Sequence, residues 1–245
     1  MVGTASHSTV RAALEAQWAV LVQAFGRADL AEPSRIPGWT VADLERHVSQ
    51  TGRSLGMQAA EPPADGPVTG MRAWAAALPG ISDRIAQRVL SEPAPPLLEM
   101  VPTTLAALDE ADPAKPVAQA TGVHRLADAT LFRLIEGVVH GLDLPEPPAP
   151  DRNAQSIVVR ALADLLADCA PGRSVELRIP PAAAVQLIDG PRHTRGTPPG
   201  VVETDPATFL RLATGRLTWT EGVEHGQVRA SGERTDLSAY LPLLR

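Results

Sequence analysis

Apolar residues recur at helical spacing over most of the first 143 positions. Leu14, Trp18, Leu21 and Phe25 fall at intervals of four, three and four, so residues 8–28 predict an amphipathic helix. A second helix start is written around Thr40. Threonine serves as N-cap, Asp43 follows three residues later, and Trp39 and Leu44 are spaced as a hydrophobic staple. That helix runs to about residue 60 with Val41, Leu44, Val48 and Leu55 facing inward, and the stretch EPPADGP at 61–67 ends it. Trp74, Leu78, Ile81, Ile85 and Val89 mark a third helix, which tolerates Pro79-Gly80 or kinks near it. A shorter helical stretch covers 97–110, disturbed by Pro102, which removes an amide from the ladder. A long helix over 123–143 turns Leu131, Leu134, Ile135, Val138 and Leu142 inward.

The pattern then changes. Residues 144–152 read LPEPPAPDR and predict a semi-rigid linker. Beyond it, Ile157, Val158, Ala161, Leu162 and Leu165 give one helix, which ends at Pro171-Gly172. Val175, Leu177 and Ile179 alternate with polar residues, as do Val185 and Leu187, which predicts two strands. A Gly/Pro/His/Arg loop occupies 190–200, a helix starts at Asp205-Pro206, a short strand covers 226–231, and a terminal helix begins at Asp236. The expected architecture is mainly α with a small α+β domain. An up-and-down four-helix bundle spans 1–144, a Pro-rich linker 145–152, and the small domain 153–245.

Composition narrows the chemistry. The 245 residues are 44% apolar and 20% charged, with 22 basic against 28 acidic side chains. A formal charge of -6 speaks against nucleic acid or anionic membrane as partner, because both need clustered positive charge. No apolar run approaches the ~20 residues of a membrane span, and the first residues carry no secretory pattern, so a cytoplasmic chain, monomer or homodimer, is expected. The single cysteine, Cys169, falls in an apolar helix, where it is expected to pack. Any thiol chemistry therefore needs a thiol from outside. Lys115 is the only lysine and sits in a loop, so arginine carries the recognition of carboxylates.

One constellation stands out. Arg133, Glu136, His140 and Asp143 recur at three, four and three, which places all four on one face of a helix. Glu136 and His140 at i, i+4 read either as a surface ion pair or as two ligands of one metal. His47, two turns into the well-capped second helix, is the candidate third ligand. Two imidazoles and a carboxylate with an open fourth position suit a catalytic zinc. His7 is placed in a frayed terminus, His124 at a helix start, and His193 and His225 in polar loops.

These residues also carry a resemblance. Pro37-Gly38-Trp39-Thr40-Val41-Ala42-Asp43-Leu44-Glu45-Arg46-His47 resembles the PGW(T/S)V-x-DL-x-x-H segment of the mycothiol-dependent maleylpyruvate isomerase family, within the DinB-like, YfiT-like bundle superfamily. The run from Arg133 to Asp143 resembles its R-x-x-E-x-x-x-H-x-x-D signature. Residues 205–216, ending Leu212-Ala213-Thr214-Gly215-Arg216, and the stretch Gly226–Gly232 resemble a sterol-carrier-like second domain.

The resemblance implies a divalent metal, most often zinc, held at the positions of His47, Glu136 and His140. It also implies mycothiol or a related low-molecular-weight thiol as cosubstrate. The metal-activated thiol would add to the double bond of a cis enedione acid, and rotation and elimination would give the trans isomer. The matching arginine, Arg216, is expected to face the metal pocket across a domain cleft and to grip a substrate anion. Asp143 and Arg133 are expected to orient the ligands. A mycothiol-dependent S-transferase acting on another electrophile, a non-catalytic carrier of a small apolar ligand, and a purely structural bundle are the alternatives.

Overall fold

The computed structural model describes residues 5–190 and 199–244. The chain forms two compact units, residues 1–155 and 156–245. In the first, four helices make the bundle: α1 (His7–Phe25), α2 (Val41–Ala60), α5 (Leu97–Glu110) and α6 (Leu126–Gly141). Two shorter helices, α3 (Met71–Ala77) and α4 (Ser82–Ser91), lie between α2 and α5 in sequence, joined by a single 3-10 turn at Leu78–Gly80. The one helix expected over these residues is thus two, divided at Pro79-Gly80. The core holds Leu14, Trp18, Leu21, Leu44, Leu55, Leu108, Leu134 and Ile135, all at 2% exposure or less.

The start of α2 follows from its sequence. The Thr40 hydroxyl accepts from the Asp43 amide and the Asp43 carboxylate accepts from the Thr40 amide, a complete capping box. Its other end is held by Lys115, whose ammonium donates to the carbonyls of Ala59 and Glu61 at 2.5 and 2.7 Å. The lone lysine therefore closes a helix. Midway, Gly56 lets α5 approach so closely that an added Cβ would stand 2.8 Å from Thr104 Oγ1. Thr104 uses that proximity to donate to the Gly52 carbonyl at 3.2 Å.

Three expectations are corrected in this unit. The helix predicted from 123 begins only at Leu126, and a hairpin, β1 (Pro116–Gln119) with β2 (Gly122–Arg125), precedes it. His124 is thus a strand residue, fully buried, with Nδ1 2.9 Å from the Thr69 carbonyl and Nε2 3.0 Å from Thr121 Oγ1. Pro102 does not interrupt α5, because the carbonyl it leaves unpartnered, on Leu98, belongs to a residue exposed to solvent. His7 is the first residue of α1, with Nε2 3.3 Å from Thr130 Oγ1.

The proline-rich segment after α6 is fastened to the bundle. Leu144 is buried, Arg35 Nη2 donates to the Pro145 carbonyl at 3.2 Å, and the Asp151 amide donates to Gln17 Oε1 at 3.0 Å. The other end of the buried Gln17 amide donates to the Gly137 carbonyl of α6 at 3.2 Å.

The second unit starts within α7 (Arg152–Cys169). A mixed four-stranded sheet follows, in the order β4 (Ala183–Leu187), β3 (Val175–Ile179), β5 (Gly200–Thr204) and β6 (Val228–Gly232); β3 and β5 are parallel and the other neighbours antiparallel. Val175, Leu177 and Ile179 point to the covered face, as their alternation predicts. Between β5 and β6 lie α8 (Pro206–Ala213), capped by Asp205, and α9 (Trp219–Glu224), opened by a Thr218–Glu221 capping box. Neither β5 nor α9 is expected from the sequence pattern. The expected helix from Asp236 is only a 3-10 turn at Ser238–Tyr240, ended by Pro242. Within the loop predicted at 190–200, positions 191–198, His193 included, lie outside the described residues.

Candidate functional site

His47 and His140 are brought face to face from α2 and α6. Their ring centroids stand 4.8 Å apart at 90°. His47 is 5% exposed, and burial drives its pKa well below the ordinary histidine value, with the charges of His140, Arg133 and Arg88 acting in the same direction. It is a neutral imidazole with a lone pair to offer. Trp39 closes one side of it edge-on, with ring centroids 5.4 Å apart. That contact is a use of Trp39 beyond the expected staple.

His140 is fixed from behind. Its Nδ1 lies 2.9 Å from Oδ2 of the buried Asp143. A carboxylate accepts, so Nδ1–H donates, and it is Nε2 that the neutral ring presents as the free lone pair. A carboxylate placed in this way orients ligating histidines elsewhere.

Glu136, one turn before His140, is engaged differently. Its Oε2 lies 2.7 Å from Arg133 Nη1, close enough for an ion pair. The two are not aligned for a hydrogen bond, so Oε2 and Arg133 Nε are each buried without a hydrogen-bond partner. The polar stripe along α6 and just past its end is not a solvated face: the side chains of Arg133, Glu136 and His140 on the helix and of Asp143 beyond it are 11, 19, 15 and 4% exposed. Ion pairs this sheltered are costly to hold without a purpose.

Among the described residues no three of His, Cys, Asp and Glu are disposed to hold a metal ion. The two imidazoles converge, while the carboxylate faces Arg133. The donor set nonetheless fits a divalent metal: two facing imidazoles, one of them kept neutral by burial, a carboxylate oxygen with an unfilled acceptor position, and an acid behind the other ring.

Beside Glu136 opens a cavity of about 110 Å³ that the sequence reading did not anticipate. Trp74, Leu78, Ile81 and Ile85 make its apolar wall. Thr51, Ser54, Gln58, Gln119, Arg88 and Arg133 supply its polar groups. Gln119 comes from the unpredicted hairpin, whose only cue was the Thr121-Gly122 pair at its turn.

Arg216 belongs to the second unit and follows Gly215, which sits at φ 72° just past α8. Its Nη1 donates to the Thr214 carbonyl at 2.9 Å. Cys169 is the half-buried last residue of α7. Ten side chains, including Leu177, Phe209, Trp219 and Leu241, line an apolar space in this unit of only about 10 Å³.

A four-helix bundle with a buried pair of facing imidazoles, followed by a small α+β unit, defines the class. Residues 11–145 match the mycothiol maleylpyruvate isomerase N-terminal domain, and the chain belongs to that family. Residues 151–243 match a model described as a bacterial SCP ortholog. Two crystal structures share the fold. A histidine-to-alanine mutant of mycothiol-dependent maleylpyruvate isomerase aligns with a TM-score of 0.60 and 17% identity over 94% of this chain and 95% of the other. The unmutated isomerase aligns with a TM-score of 0.57 and 16% identity over the same shares. No curated protein matches the chain. Among the described residues no helix is long and apolar enough to cross a membrane.

Proposed function

We propose that the protein is an enzyme that activates a low-molecular-weight thiol of the mycothiol type for addition to a small electrophilic acid, as in maleylpyruvate cis-trans isomerisation. The observation that supports this best is the facing pair His47 and His140, one neutral by burial and the other oriented by Asp143. Together with Glu136 they would hold a divalent metal. Bound there, zinc would supply the Lewis acidity that keeps a thiol deprotonated at neutral pH.

The chain's own residues do the rest. Burial keeps His47 unprotonated, so no proton competes for its lone pair. Asp143 holds the His140 proton on Nδ1 and so presents Nε2 forward. Trp39 covers the His47 ring and keeps water from that side. Cys169, the only cysteine, is half-buried at the end of α7, and the proposed nucleophile is a thiol that arrives with the cosubstrate. Arg216 is the proposed partner for a substrate anion.

A space of about 10 Å³ holds no more than a single water. The apolar space lined by Leu177, Phe209 and Trp219 therefore takes no bulky apolar ligand and lends the carrier reading no support. The test is metal analysis of the purified protein together with turnover of a cis enedione acid with and without mycothiol. One equivalent of metal and thiol-dependent isomerisation are expected. Metal bound with mycothiol consumed, and no isomer formed, would instead assign S-transferase chemistry.

A further inference from the structure

Four buried side-chain polar atoms among the described residues lack a hydrogen-bond partner, and three of them belong to side chains that line one cavity: Gln119 Oε1, Arg133 Nε and Glu136 Oε2. An unmet buried polar group costs about 1–3 kcal/mol, so a cluster of them around an open space marks a place where a ligand completes the bonding. The space of about 110 Å³ is smaller than the ~150 Å³ that admits a benzene ring, so it takes about four or five non-hydrogen atoms. That is the size of a carboxylate with a short carbon stub. The apolar wall of Trp74, Leu78, Ile81 and Ile85 suits the stub. The guanidinium suits the carboxylate, and no other arginine than Arg133 and Arg88 lines the space.

Arg133 is engaged by Glu136, at 2.7 Å but out of line. We propose that Glu136 is an internal stand-in for a ligand: the carboxylate end of a short-chain acid replaces it on Arg133 when Glu136 turns to the imidazoles of His47 and His140. This rests on the metal reading above and deepens it, because it gives the acid substrate a receptor within the first unit. It also links the two events. Whatever draws Glu136 away frees the guanidinium, and an acid on Arg133 leaves Glu136 available.

The exchange can be tested without metal. Glu136→Ala, checked for an unchanged thermal transition, should bind propionate at least fivefold tighter than metal-free wild type in an NMR titration, because the competing carboxylate is gone. Equal or weaker binding overturns the exchange. Arg133→Gln should lose propionate binding at least tenfold with or without zinc; binding retained on zinc loading would mean that the acid sits on the metal, and overturns it too. In a chelator competition, Arg133→Gln should hold zinc at least threefold tighter than wild type, since Glu136 no longer has a rival. Zinc that binds wild type but is held more weakly by Arg133→Gln gives Arg133 an orienting role and overturns the exchange alone. Wild type that takes up no zinc overturns the metal reading and the exchange together.

Discussion

Asp143 shows how one residue can govern another's chemistry without touching a substrate. By accepting from His140 Nδ1 it fixes the tautomer, and removing such a partner typically costs 10–100-fold in metal affinity. The ligands themselves should cost at least as much. His47→Ala, Glu136→Ala and His140→Ala are each expected to lower metal affinity at least tenfold, read by metal content after dialysis, with helicity by circular dichroism unchanged. Full occupancy in all three variants would defeat the assignment. The two histidines were legible in the sequence because a cap fixed the phase of α2 and an i, i+4 interval fixed that of α6. The alternative partner of Glu136 was not. Arg133 at i−3 and His140 at i+4 are both within a helical side chain's reach, and spacing does not choose between them.

At the level of elements, the capping box of α2 bears directly on the site, since the helix it starts carries His47. Partial burial works against the Asp43 carboxylate, but hydrogen bonds from the Thr40 hydroxyl and amide and from Arg46 outweigh it and lower its pKa. At Asp205 burial is likewise outweighed, by the Thr208 hydroxyl and amide and the Ala207 amide. A depressed folded pKa gives stability that is complete above the unfolded value near 3.9 and is lost as the pH falls through the folded value. These carboxylates should therefore give denaturation midpoints an acid limb below about pH 4, added to the decline below about pH 6.5 that buried His47 imposes as the unfolded chain takes up a proton there. Thr40→Ala should cost about 1 kcal/mol at pH 7 and flatten that drop; an acid limb as steep as wild type would remove Asp43 from the explanation. The long amphipathic helices were readable for the reason that caps and apolar periods coincide in them. The hairpin before α6 and strand β5 were not, because four or five residues carry too little alternation to be told from loop.

For the whole molecule, the path of the chain out of the bundle decides where it can be cut. Gln17 ties the Asp151 amide to α6 through its own carboxamide, so a fragment ending at Leu144 would strand a buried acceptor. A fragment of residues 1–155 keeps that bond and should fold and bind metal with wild-type affinity. If Arg216 supplies an anion contact, the fragment should lose nearly all turnover. Arg216→Lys in the full chain should likewise lower kcat/KM more than tenfold with metal content unchanged, because a point charge does not reproduce a planar fork. Full activity from the fragment would return Arg216 to a structural role. The proline count alone predicted a spacer here; the fastening depends on a side chain 134 positions away, beyond the reach of local patterning.

The closure of α2 by Lys115 has a consequence for handling the protein. With one lysine in the chain, amine-directed reagents have a single side chain to find, and it is the one that holds the last carbonyls of the helix carrying His47. Acylation there removes the charge and two of the three donors in one step. Conjugation chemistry that is harmless on most surfaces should here loosen the end of α2, visible as faster amide exchange around Ala59 and Ala60. Immobilisation or dye labelling through maleimide is directed at the thiol of Cys169 and leaves the Lys115 ammonium unmodified.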